Sequence, residues 1–447
     1  MVQGASSSAG KSLLTTALAR AFRRRGVDVV PFKAQNMSNN ARVVDGGEIG
    51  VAQWLQALAA GLEPEVRMNP VLVKPEGDNQ SQVVVLGRPD AELSRRPWRE
   101  RPTALWPAIE SSLRELGDEH ELVLLEGAGS PAEINLRSTD LANMRVARLV
   151  DARVILIADI DRGGAFAHLY GTWSLLPPEE RALIMGFVLN KFRGDRALLA
   201  PAPVQLEELT GVPVLGVLPF IRHGLPDEDG AAVPGPRLGA ERVAVLRYPT
   251  ASNLDEFKQL EQVVQVEWTE SVEAIRDAGL VVLPGSKNVE GDLGWLREHG
   301  LDLAIRSRAA TGGRILGICG GLQLLGEDGI GLLPVSTGYG AEKLTERIEL
   351  QLGILAGVWA QLDGMTFAGY EIRHGTTRSA EGREVRAVAA GPVLGVSAHG
   401  LFENEHVLRA LFGATSARSL DDALEELADL VEEQLDVGAL LEQAVVA

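Results

Sequence analysis

Residues 2–12 read VQGASSSAGKS, and the first half of the chain can be organised around that turn. Met1 and Val2 precede it as a very short apolar strand, and SLLTTALARAFRRRG (12–26) follows as a helix stopped by Gly26. Small residues between a strand and a helix let backbone N–H groups close around phosphate oxygens, where the helix N-terminus concentrates partial positive charge. The standard phosphate loop is Gly-x4-Gly-Lys-Ser/Thr. Here Gly10-Lys11-Ser12 is intact, Ala5 stands where the first glycine belongs, and Gly4 lies one position further out. Gly4, Ala5, Ser8, Ala9 and Gly10 are therefore expected to cradle a nucleotide, with Lys11 on its terminal phosphates and Ser12 on Mg2+. The bland alternative is a small-residue turn at a helix N-cap.

Working outward, apolar runs of strand length alternate with helix-length segments. DVVPF (28–32), LVLLEG (122–127), RVILIADI (153–160), IMGFVLN (184–190) and VPVLGVLP (212–219) read as strands buried on both faces. Their order predicts a doubly wound α/β domain with a mainly parallel sheet over residues 1–225. A Pro-, Gly- and acid-rich stretch without periodicity predicts a linker over 226–241. A second α/β pattern, RVAVLRYP (242–249), GLVVLPGS (279–286) and RILGICGG (314–321), predicts another doubly wound domain over 242–410. The acidic tail, 411–447, places Leu420, Leu424, Leu427 and Val431 at helical spacing behind a capping Ser419. Its apolar face should pack on its own chain or on a second copy in a homo-oligomer, and its acidic face should be solvated.

The 447 residues carry a formal net charge of −18, which argues against a nucleic-acid partner. No apolar run approaches the length of a membrane span. A single cysteine excludes an intrachain disulfide and a cysteine-based zinc site, and fits a reducing cytoplasm.

A metal ion beside a phosphate-loop serine also needs carboxylates. Glu126 ends a buried strand, where open α/β sheets place ligands. Asp45 and Glu48, in the glycine-rich VVDGGEIG (43–50), are further candidates, although loop acids are often merely solvated. PFKAQNMSNN (31–40) ends a strand in Lys33, Gln35, Asn36, Asn39 and Asn40, a polar cluster suited to an anionic ligand. Asn190 and Lys191 end another strand within reach of a purine base.

The second half carries different chemistry. Ile318-Cys319-Gly320-Gly321 follows an apolar strand and opens a helix, the arrangement of a nucleophile elbow with sulfur in place of oxygen. A helix N-terminus favours thiolate. The Gly320 N–H, with a second donor from Gly285 or Ser286, would form an oxyanion hole. His399, in VLGVSAHGLF (393–402), is the expected base, with His374 its competitor. A buried, inert cysteine is the bland reading.

ICGGLQLLG (318–326) with AHGLF (398–402) resembles glutamine amidotransferases that use a Cys–His pair. FKAQNMSNNA (32–41), LLEGAGSPAEINLR (124–137), ADIDRGG (158–164) and LNKFRGD (189–195) resemble the dethiobiotin-synthetase-like ATP domain, whose phosphate loop shares the wider glycine spacing. Together the halves resemble the cobyric acid synthase family over nearly all of the chain. The resemblance implies a glutamine-hydrolysing carbon–nitrogen ligase that uses ATP and Mg2+ on a corrinoid polycarboxylate. It implies a thioester on Cys319, ammonia passing to the first domain, and carboxylates activated as acyl phosphates. Lys33, Lys74, Arg162 and Arg193 are the expected cations for the substrate, beside Gln35 and Asn36. Most such amidotransferases have Glu two residues after the His; here Leu401 stands there, so a Cys319–His399 dyad is expected, with no triad role for Glu403. The alternatives are a cobyrinic acid a,c-diamide synthase, a MinD/ParA-like ATPase switch, and a degenerate amidotransferase kept as a scaffold.

Overall fold

The computed structural model describes residues 1–77, 80–221, 223–225, 241–416 and 418–444. The expected linker lies outside these residues except for Glu241.

The first half contains β1 (Val2–Gly4), helix α1 (Lys11–Arg24), β2 (Val29–Phe32), β3 (Gln35–Met37), β4 (Ala41–Val44), β5 (Gly47–Gly50), helix α2 (Val51–Ala60), β6 (Val71–Gly77), β7 (Gln80–Val85), β8 (Arg88–Asp90), β9 (Leu122–Leu125), β10 (Val154–Asp159), β11 (Ile184–Phe192) and β12 (Val214–Pro219). β1, β10, β11 and β12 pair in parallel, as do β2 and β9, and a parallel bridge from Val2 to Glu126 joins the two sets. The strand order is β2-β9-β1-β10-β11-β12. These are the five apolar runs of the sequence plus the short strand before the phosphate loop. A side sheet, β3-β6-β7-β8, is antiparallel apart from its β3–β6 pair.

The second half follows with β13 (Arg242–Leu246), β14 (Ala251–Ser252), β15 (Gln265–Thr269), β16 (Leu280–Leu283), β17 (Gly285–Ser286), β18 (Arg314–Ile318), β19 (Val335–Gln351), β20 (Thr366–Ser379), β21 (Ala387–Ala390) and β22 (Val393–Val396). Its sheet runs β15-β13-β16-β18-β22-β21, parallel except for β21. β19 and β20 form a long hairpin that reaches back to the first half: Arg347 Nε donates to Val43 O at 3.2 Å and its guanidinium pairs with Glu63 at 2.8 Å.

The tail forms a helix, Leu420–Gln434, opened by a Ser419–Asp422 capping box. Leu424, Leu427, Ala428 and Val431 are buried in one cluster with Leu14, Leu18 and Phe22 of α1. The tail therefore covers the helix that follows the phosphate loop of its own chain. Its acidic face is not simply solvated. Asp421 and Glu425 pair with Arg20; Glu425, Asp429 and Glu432 pair with Arg24; Glu432 also pairs with Arg25. The basic run Arg23-Arg24-Arg25 ending α1 gives those acids partners that a reading of the tail alone could not supply.

Candidate functional site

Two polar centres form at the carboxyl ends of the two sheets. In the first, Phe32 and Leu125 are register partners on adjacent strands, so the residues after them, Lys33 and Glu126, emerge side by side. Lys33 Nζ lies 2.9 Å from Glu126 Oε1, and Ser12 Oγ donates to the same oxygen at 2.8 Å. Gln56 of α2 donates to Glu126 Oε2 at 2.5 Å. Glu126 is 1 % exposed, so these donors rather than water satisfy its oxygens. The loop above folds as its small residues require. Gly10 has φ 101°, a left-handed conformation, and a Cβ there would overlap the Asn190 amide. Lys11 lies back along the loop, with Nζ 3.4 Å from Ser6 O.

Ser12, Lys11, Gly10, Ser8, Lys33, Gln35, Asn36 and Asn190 all line one cleft of about 1950 Å³. Asn190, expected at a base, is committed to the loop: Nδ2 donates to Ala9 O at 2.9 Å and Oδ1 accepts from the Lys191 N–H at 2.8 Å. Lys191 Nζ bridges Ser8 O at 2.8 Å and Asp159 at 2.9 Å. Arg162 lines the cleft, and Arg193 stacks 3.5 Å from the centre of Phe220, a lining residue. The same cleft is also lined by Trp98, Trp106, Leu136, Arg137, Arg145 and Arg148, none of them among the expected site residues. Arg145 and Arg148 are three apart on helix Met144–Leu149 and so share a face, a spacing visible in the sequence.

Three expected ligands are elsewhere. Glu48 is buried, and its oxygens pair with Lys74 and with Lys343 of β19. Those lysines hold its pKa below the usual carboxylate range against the opposing pull of burial. In this structure Glu48 stands as a counter-ion to Lys74 and Lys343 at the junction of the halves. Asp45 sits in the exposed β4–β5 turn, lining a separate cleft of about 790 Å³. Among the described residues no group of three or more His, Cys, Asp or Glu is placed to hold a metal. Ser12 and Glu126 alone of the expected set come together.

The second centre is built on a strained turn. Cys319 caps helix Gly320–Leu325 with φ 51° and ψ −106°, outside the ordinary regions for a non-glycine residue. The next two positions must be glycine: a Cβ on Gly320 would overlap the Ser286 backbone N, and one on Gly321 would overlap Leu283 O. The Gly320 and Ser286 backbones are thereby pressed together beside the thiol. Asp292 ties this loop down, accepting from Ser286 Oγ at 2.5 Å and Thr250 Oγ1 at 2.7 Å. Gly285 packs on the imidazole; a Cβ there would come within 2.8 Å of His399 Cε1.

His399 is 1 % exposed. Burial pulls its pKa down, but Cys319 and the Glu256 carboxylate, through charge and hydrogen bonding, raise it to about 10. Its Nδ1 lies 2.8 Å from Glu256 Oε1, while Glu256 Oε2 accepts the Gly400 N–H at 2.9 Å. The expected dyad is thus corrected: a carboxylate does sit behind the histidine, supplied 143 residues upstream instead of two downstream. Nothing in the local sequence of Asn253-Leu254-Asp255-Glu256 distinguishes it from a solvated acidic turn. His374 is excluded as the base. It faces Gln82 at 3.1 Å, and burial first, then Lys343 and Lys287, lower its pKa to about 4.

Comparison with known proteins matches both halves of the chain. Residues 1–223 match the CobQ/CobB/MinD/ParA nucleotide binding domain, and residues 242–407 match the CobB/CobQ-like glutamine amidotransferase domain. The chain is 50 % identical to a cobyric acid synthase of Polaromonas sp. over 98 % of this chain and 97 % of that one. Identity is 51 % to that of Variovorax paradoxus, covering 98 % of both chains, and 52 % to that of an Acidovorax sp., covering 98 % and 96 %.

The chain belongs to the cobyric acid synthase family. It is accordingly a glutamine amidotransferase ligase of cobalamin biosynthesis, with a nucleotide-binding first half. The MinD/ParA-like switch falls because the second half carries its own amidotransferase match. No helix among the described residues is long and apolar enough to cross a membrane.

Proposed function

We propose that the chain converts the b, d, e and g carboxylates of adenosylcobyrinic acid a,c-diamide to amides, using ATP and glutamine, and so makes adenosylcobyric acid. The observation that carries the two-site reading is the Cys319–His399–Glu256 arrangement facing a strained elbow, in one chain with a phosphate loop. Our domain reading keeps 1–225, 242–410 and 411–447 as the ATP, amidotransferase and tail segments.

At the second site the Cys319 thiolate attacks the side-chain amide carbon of glutamine. The Gly320 and Ser286 N–H groups, with Gly285 shaping the pocket beside them, receive the developing oxyanion. His399 donates its proton to the departing nitrogen, the C–N bond breaks, and ammonia leaves behind a thioester. Water, deprotonated by His399, then releases glutamate and restores the thiolate.

At the first site the substrate carboxylate takes the γ-phosphoryl group of ATP, and ammonia displaces phosphate from the acyl phosphate. Phosphoryl transfer is mainly positioning and charge neutralisation. Gly4, Ala5, Ser8, Ala9 and Gly10 shape the cradle, Asn190 braces it, and Lys11 and Lys33 carry the cationic charge. Ser12 and Glu126, 2.8 Å apart, would hold a Mg2+ ion beside the bound nucleotide. When bound, that ion supplies Lewis-acid neutralisation of the phosphate charge. Arg137, Arg145, Arg148 and Arg162 would receive the peripheral carboxylates, with Trp98 and Leu136 against the macrocycle and Gln35 and Asn36 orienting the reacting edge.

The test is stoichiometry with the diamide as substrate: about four ATP and about four glutamine consumed per product is the expectation. Cys319→Ala should abolish glutamine-dependent synthesis and keep synthesis from free ammonia. Product amidated only at a and c, or a wild-type chain that releases no glutamate, would sink this reading.

A further inference from the structure

Glu256 reaches His399 from a loop that the nucleotide-binding half holds in place. Asn253, which opens that loop, adopts a left-handed φ of 56°. Its Nδ2 donates to Ala41 O at 2.9 Å and to the Tyr370 hydroxyl at 3.0 Å. The Leu254 N–H donates to Asn40 Oδ1 at 3.0 Å. The guanidinium of Arg42 donates to the Asp255 carboxylate, and to the two oxygens of Glu403 at 2.9 and 2.5 Å. Asn40, Ala41 and Arg42 close the FKAQNMSNNAR run that begins at the phosphate-loop centre.

Two lines of contact lead from Arg42 to the imidazole. One passes through Asp255 to its neighbour Glu256, and so to His399 Nδ1. The other passes through a ring: the guanidinium lies 5.0 Å from the centre of Tyr370, whose ring stacks on His399 at 5.3 Å. Tyr370 and His399 also exchange backbone hydrogen bonds of 3.2 and 2.9 Å.

Charge explains why an arginine is needed. Asp255 and Glu256 are consecutive buried carboxylates, only 2 % and 0 % exposed, with Glu403 beside them. A buried carboxylate without a counter-ion sheds its charge or moves towards water. Arg42 neutralises Asp255 and Glu403 through a planar fork that a lysine cannot reproduce.

We propose that Arg42, a residue of the nucleotide-binding half, is a positioning residue for glutamine hydrolysis: it fixes the 253–256 loop so that Glu256 meets His399. The glutaminase is then complete only when both halves are assembled. This rests on the reading that Cys319 hydrolyses glutamine.

The experiment uses the full chain with Arg42→Lys and Arg42→Met. Glutamate release is measured against glutamine concentration and pH, and amide formation from ammonium chloride is measured in parallel. The expected result is a kcat for glutamate release down by about tenfold or more in the Met variant and by less in the Lys variant, with KM within about twofold. The alkaline limb of the rate should move to lower pH. Amidation from free ammonia should stay near wild type, which shows that the variants fold. The proposal is overturned if kcat stays within about threefold, if the alkaline limb does not move, or if glutamine- and ammonia-driven rates fall in equal proportion. A wild-type chain that releases no glutamate would instead overturn the glutaminase reading beneath it.

Discussion

Replacing Glu256 with Gln tests the triad most directly. The substitution keeps the volume and leaves a carbonyl oxygen for the Gly400 N–H, now 2.9 Å from Glu256 Oε2. The amide nitrogen then faces His399 Nδ1, where a carboxylate oxygen stands at 2.8 Å. A charge-assisted hydrogen bond contributes about 1.5–3 kcal/mol, so its loss alone costs about 10- to 150-fold in rate. The amide also donates, which forces Nδ1 to accept and places the proton of neutral imidazole on Nε2. That tautomer cannot take a proton from the thiol, and the equivalent change in a serine protease costs about 10⁴-fold. The expectation for glutamate release is therefore a loss of about 10²- to 10⁴-fold.

The pH dependence has a definite sign. Raising the His399 pKa from 6.5 to about 10 stabilises the folded chain by an amount fully present below 6.5 and lost as pH rises through about 10. In wild type the imidazolium that protonates departing ammonia persists to that pH. Removing the Glu256 charge moves the alkaline limb down. Stopped assays of glutamate release from pH 6 to 10, with ammonia-driven amidation as the folding control, make the comparison. An E256Q chain that hydrolyses glutamine within about threefold of wild type, with an unshifted alkaline limb, would refute the triad.

Two further predictions concern the first half. Glu126→Gln removes the negative charge shared by Ser12 and Lys33, so the magnesium concentration giving half-maximal ammonia-driven amidation should rise by about tenfold or more; an unchanged magnesium titration would remove Glu126 from the metal site. Leu427→Ala leaves a cavity between the tail and α1, where Leu427 is 2 % exposed, and should cost about 2–5 kcal/mol, read by urea denaturation; a change below about 0.5 kcal/mol would mean that the tail does not pack on α1 in solution.

The reach of the sequence differed from centre to centre. Every strand expected in the two parallel sheets is present, because strands buried on both faces are continuous apolar runs. The side sheet and the β19–β20 hairpin were not legible, since their strands mix charge with apolar residues. The hairpin's 335–351 strand carries Lys343 and Arg347, whose partners Glu48 and Glu63 lie in the other half. Cys319 and its glycines were legible because a strained turn restricts which residues can stand there. Glu48 and Asp45 were less legible for the opposite reason: an acid in a glycine-rich loop has no local mark that separates a metal ligand from a counter-ion.

The sequence by itself determined what depends on neighbours along the chain. That covers the phosphate loop, the parallel-strand runs, the cysteine elbow and the capped amphipathic tail, each set by steric limits or periodicity over a few residues. Only the tertiary structure decided which distant side chains complete each centre. Glu256 lies behind His399, Arg42 holds Asp255, and Arg20, Arg24 and Arg25 take up the acids of the tail. Coulombic and hydrogen-bonding partners are chosen by distance in space, and burial strengthens those choices; neither quantity is written in the order of residues along the chain.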